Sequence, residues 1–167
     1  MRCPHCRQQT TPTAEGLCGL CGSPCPPAAS PVRSLYVVTS GFALSTLAYA
    51  ALVFIMEQTQ GAIAPTQPAF VRETLPYVLL ALSAVAFVLG QRVAARLTPA
   101  RPLGALVVEC AVAEAACVYG LLIYFLARSI EWFVLFLGLS WLMFLYTSLK
   151  LPGYAAVLET SASAPPE

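Results

Sequence analysis

Aspartate is absent from this 167-residue chain, and histidine occurs once, as His5. Those two gaps remove Ser-His-Asp triads, paired aspartates and the H-E-x-x-H metalloprotease helix. There is no Walker-type or G-x-G-x-x-G loop and no G-x-S-x-G elbow, so nucleotide chemistry and serine hydrolysis have no seat. An enzyme would have to work with Glu109, Glu114 and the cysteines alone, and the chain is read as a non-enzyme. Charge is also scarce. Charged residues make up 10% of the chain and the net charge is +1, where a soluble domain carries roughly 25% charged residues. Such a balance gives no long-range attraction to nucleic acid, and none is expected as a partner.

Apolar residues fill the space that charges leave. They make up 58% of the sequence, with a mean hydropathy of +0.73. A soluble globule of this size could not hide so much apolar surface, which points to the lipid bilayer as the surroundings. Four long apolar runs begin at residue 35, covering about 35–56, 77–97, 103–127 and 130–149. A helix rising ~1.5 Å per residue needs about 20 residues to cross ~30 Å of hydrocarbon, and each run is long enough. The fold class expected is an all-α membrane protein with four transmembrane helices over 35–150. Thr74 and Pro76 suit the start of the second helix. Thr98, Pro99 and Pro102 break the chain before the third. Pro152 and Gly153 are expected to stop the fourth, leaving 151–167 as a disordered tail. The first run is too long, and starts too late, for a cleaved signal peptide.

Positive residues set the expected orientation. With the N-terminus inside, the inside segments hold Arg2, Arg7, Arg33, Arg92, Arg96, Arg101 and Lys150, and the outside segments only Arg72 and Arg128. Both termini are therefore expected in the cytoplasm, where thiols stay reduced and tend to bind metal rather than pair.

Residues 1–34 hold five of the seven cysteines and six of the fourteen prolines. Cys3-Pro-His-Cys6 and Cys18-Gly-Leu-Cys21-Gly22 form a C-x2-C…C-x2-C pattern with eleven residues between the pairs. Two such turns facing each other offer four thiolates in a tetrahedron, the closed coordination of structural zinc. His5 and Cys25 are alternative ligands, and a redox-active C-x2-C pair is the rival chemistry. The pattern resembles the zinc-ribbon family, in particular the short ribbons that precede membrane spans in many bacterial proteins. The resemblance implies a zinc ribbon over 1–25 with Cys3, Cys6, Cys18 and Cys21 as ligands and a bacterial plasma membrane as location, and the Pro-rich composition of 26–34 reads as a linker. So small a unit cannot fold without the metal.

The third run carries the two carboxylates at depth, Glu109 and Glu114. An intramembrane carboxylate costs several kcal/mol, which makes it a functional candidate. The two are five residues apart, hence about 140° apart around a helix. Glu114 shares a face with Cys110 and Cys117, a conceivable metal set. Glu109 shares a stripe with Ala105, Ala113, Ala116 and Gly120, small residues that allow close helix packing. Packing roles are open for both, with Ser83, Gln91 or Tyr49 as partners for Glu109. Ala113-Glu114-Ala-Ala-Cys-Val-Tyr119-Gly120-Leu121 resembles the carboxylate-bearing helix of the c subunit of rotary ATP synthases. That resemblance implies an ion- or proton-binding role for Glu114. The second run departs from that family, since it has Gly90 but no run of glycines.

The function expected is a small membrane interaction or scaffold protein whose zinc ribbon is structural or docks a protein partner. The alternative is a transporter or ion-conducting subunit using Glu114, which would need a homo-oligomer because four helices enclose little room.

Overall fold

The computed structural model describes Cys6, Gln8 and residues 17–23, 31–60 and 68–163. Its helices are α1 (Pro31–Gln60), α2 (Ala69–Glu73), α3 (Leu75–Leu97), α4 (Pro102–Ala127) and α5 (Ile130–Ser163). Four spans within them are long and apolar enough to cross a membrane: Val32–Thr59, Phe70–Leu97, Pro102–Ala127 and Ile130–Thr160. Their outer faces carry large apolar side chains such as Leu44, Phe54, Leu142 and Leu149, all more than 60% exposed. Surfaces of that kind suit a bundle whose solvent is hydrocarbon.

Helix α4 is the centre. Over the most apolar stretch of its span 44% of residues are buried, against 17% over that of the α1 span. It packs on α1, α3 and α5, while α3 and α5 meet through side chains such as Phe87 and Tyr146 rather than through close backbones. The reason lies in its small residues. Ala105, Ala113, Ala116 and Gly120 are buried on the stripe that also holds Glu109, so neighbouring backbones can come close. At Gly120 an added Cβ would stand 2.7 Å from the Phe136 Cβ and 3.3 Å from the Phe133 carbonyl oxygen. At Gly90 on α3 it would stand 2.9 Å from Val112 Cγ2.

The connections differ from the expected ones in two places. Thr74 does not cap α3 with its side chain. Its backbone is helical, its N–H donates to the Phe70 carbonyl, and its own carbonyl accepts from Val78. The short α2 thus runs straight into α3. At the other end, Pro152 and Gly153 do not stop α5, which continues to Ser163. Proline removes one backbone donor, yet membrane helices tolerate that loss where neighbours hold them. Here Leu151 and Tyr154 are buried in one cluster with Leu35, Ala94, Ala105 and Leu106. Burial on both sides of Pro152 outweighs its local preference.

Helices α4 and α5 are joined by a tight turn. Arg128 adopts the left-handed conformation (φ 53°) and its N–H donates to the Tyr124 carbonyl. Its guanidinium lies over the Tyr124 ring, 5.8 Å from the centroid.

The Gly120 approach is open to test. Gly120→Ala should force α4 and α5 apart at Phe133 and Phe136 and cost about 1–3 kcal/mol. A denaturant titration in mixed micelles should show an earlier unfolding midpoint; an unchanged midpoint would mean the helices are not in close contact there.

Candidate functional site

Three features carry chemistry: the cysteine cluster and the two carboxylates of α4. In the cluster, the Cys18 N–H donates to the Ser23 carbonyl and the Gly22 N–H donates to the Cys18 carbonyl, both at 2.8 Å. Gly22 has φ +65°, a conformation that glycine adopts without a Cβ penalty. This turn folds Cys18 and Cys21 toward one point. The Sγ atoms of Cys6, Cys18 and Cys21 all lie within 4.8 Å of one another. Cys6 Sγ and Cys18 Sγ are 3.8 Å apart. Four sulfurs each ~2.3 Å from a tetrahedral zinc would be about 3.8 Å apart, so the donor spacing fits such an ion. Cys18 is buried and Cys21 exposed. Cys3, His5 and Cys25 lie outside the described residues.

Glu109 is almost wholly enclosed, with a side chain 1% exposed. Its Oε1 accepts from Lys150 Nζ at 2.6 Å, and Lys150 also donates to Gln91 Oε1. The ammonium sits 4.5 Å from the Tyr146 ring centroid, a favourable cation–π distance. Helices α3, α4 and α5 are thus tied by one three-residue network. Glu109 Oε2 has no hydrogen-bond partner among the described residues. Glu109 lines a cavity of about 390 Å³ together with Gln91, Thr98, Lys150, Gly153 and Tyr154, whose side chain lies beside the carboxylate.

Glu114 faces the other way. Its Oε1 accepts from Ser45 Oγ at 2.5 Å and from Tyr49 Oη at 3.1 Å. Ser45 and Tyr49 are four apart on α1, one above the other on the same face. The carboxylate is half-buried and borders a groove of about 350 Å³ walled by Val37, Val38, Gly41, Phe42 and Val107.

Of the expected partners of Glu109, Gln91 joins it through Lys150. Tyr49 binds Glu114 instead, and the Ser83 hydroxyl turns back to the Leu79 carbonyl. Lys150 counted in the sequence only as an orienting charge. Its signal was present in the register, since an antiparallel α5 brings its C-terminal half beside the N-terminal half of α4. Cys110 and Cys117 are buried with no exposure, and they form no metal-holding group with Glu114. Among the described residues, Cys6, Cys18 and Cys21 are the one such group. The chain matches no protein-family model, no curated protein and no solved structure.

The Glu109–Lys150 pair yields a double-mutant test. Lys150→Met should destabilise the bundle by roughly 3 kcal/mol, because it strands Glu109 without its counter-ion. Lys150→Met combined with Glu109→Gln should recover most of that loss in the same micellar unfolding assay. Equal losses in single and double variants would mean the pair is not coupled.

Proposed function

We propose that the protein is a small integral membrane interaction protein, whose four-helix body displays a zinc-folded cysteine module at the cytoplasmic face for a protein partner. The observation that carries this reading is the convergence of Cys6, Cys18 and Cys21 on a turn closed by Gly22. In this reading the fourth ligand is Cys3, which stands at the spacing of the zinc-ribbon pattern. Four thiolates leave no open position for substrate, so the zinc of this reading is structural. The helical body supports the same reading. Glu109 is engaged by Lys150 and Glu114 by Ser45 and Tyr49, so both carboxylates act as pins between helices.

A second reading has one observation in its favour. The Glu114 groove leaves that carboxylate half-exposed, and its helix resembles the ion-carrying helix of rotary c subunits. In that reading Glu114 binds a proton or cation in an oligomer.

Metal analysis of the purified full-length protein should find about one zinc per chain, and Cys18→Ser should lose it with the helical content intact. Metal-free wild-type protein would overturn the zinc module. The two readings separate at Glu114. The interaction role expects Glu114→Gln to leave ion flux in proteoliposomes at the level of empty vesicles, as for wild type. Wild-type flux that Glu114→Gln abolishes would establish the transport role instead.

A further inference from the structure

Helices α3 and α5 both pack on α4 but leave a seam between them. Two cavities lie along it. The first, about 540 Å³, is apolar and lined by Leu80, Ala84, Phe87, Leu142, Met143 and Tyr146, among others. The second, about 390 Å³, is also walled mostly by apolar surface but carries the polar side chains of Gln91, Glu109 and Lys150. They lie end to end. Gln91 is one turn beyond Phe87 on α3, and Lys150 is one turn beyond Tyr146 on α5. The edge-to-face pair Phe87–Tyr146, with centroids 5.8 Å apart, marks the join.

The polarity of the seam runs in one direction. Its apolar half lies along the middle of the spans. Its polar half lies beside Thr98 and Pro99, where α3 ends. Glu109 lines this half, and its buried Oε2 makes no hydrogen bond of good geometry, with the Tyr154 side chain beside the carboxylate. Leaving such a group unmade in a low-dielectric site is costly, so an occupant of this cavity should bring an N–H or O–H donor. Next to that acceptor stands a cation, Lys150, whose side chain is one-third exposed. Its ammonium carries three donors, and Glu109 and Gln91 take two of them.

We propose that this seam binds one amine-bearing phospholipid of the phosphatidylethanolamine class. An acyl chain fills the Leu80–Leu142 groove. The primary ammonium of the headgroup donates to Glu109 Oε2, and the phosphate accepts from Lys150. The zwitterionic headgroup is thus matched by a zwitterionic pair, and the surface-to-core order of the seam matches the order of the lipid. A quaternary ammonium has no N–H to donate, and a glycerol headgroup has no cation for the carboxylate. The site should therefore discriminate among headgroups as well as hold a chain. The inference rests on membrane insertion of the four helices but not on the metal or the partner.

The test is native mass spectrometry of the full-length protein extracted from bilayers of equal phosphatidylethanolamine, phosphatidylcholine and phosphatidylglycerol. The wild type should retain phosphatidylethanolamine in preference to the other two. Glu109→Gln should reduce that preference about tenfold, the loss of one charge-assisted hydrogen bond. Ala84→Trp, remote from the carboxylate, should block the apolar half and reduce retention of every lipid without loss of helix. Wild-type protein that retains no phospholipid, or all three equally, overturns the proposal. So does a headgroup preference that Glu109→Gln leaves unchanged, or retention that Ala84→Trp leaves unchanged.

Discussion

Close approach of backbones to α4 is the constraint on which the rest of the molecule depends. In hydrocarbon, two apolar helices gain little by hiding from their solvent, so contact and polar bonds must hold them together. Ala105, Ala113, Ala116 and Gly120 supply the contact. They let Phe133 and Phe136 of α5 come down onto the helix, and they leave α4 with three neighbours at once. A central helix with three neighbours can direct side chains at different partners. Glu109 reaches toward α3 and α5, and Glu114 toward α1.

That division gives the two carboxylates different chemistry from one helix. Glu109 is enclosed and meets a full counter-ion. A buried ion pair adds little net stability over a hydrophobic substitute, but it strongly penalises wrong register, since either partner alone is costly. The pair therefore sets which turn of α5 faces which turn of α4. Glu114 meets two neutral hydroxyls and a groove. It ties α1, the least buried span, to the centre.

Much of this was legible in the residues. The four apolar runs predict the four spans because hydrocarbon thickness translates directly into length. The small-residue stripe beside Glu109 predicts the buried face of α4, because helical periodicity places those residues together. The C-x2-C spacing predicts the convergence of Cys6, Cys18 and Cys21 through local turn geometry. What failed depended on contacts far apart in sequence. Pro152 and Gly153 read as a stop, and only the burial of Leu151 and Tyr154 against Leu35, Ala94 and Ala105 explains the continuation. Lys150 read as a marker of sidedness. Its partnership with Glu109 spans 41 residues, and it becomes visible only once α4 and α5 are folded back on each other. Ser45 gave no signal in the sequence, because a serine on an apolar helix is common.

The turn at Arg128 has a consequence for how the chain enters a membrane. With two residues between α4 and α5, and the first of them in a left-handed cap, the two helices form a tight hairpin. Partition of α4 alone would carry the Glu109 charge into hydrocarbon uncompensated. Inserted as a hairpin, α4 arrives with Lys150 already alongside, and the pair crosses into the bilayer as a dipole rather than as a charge.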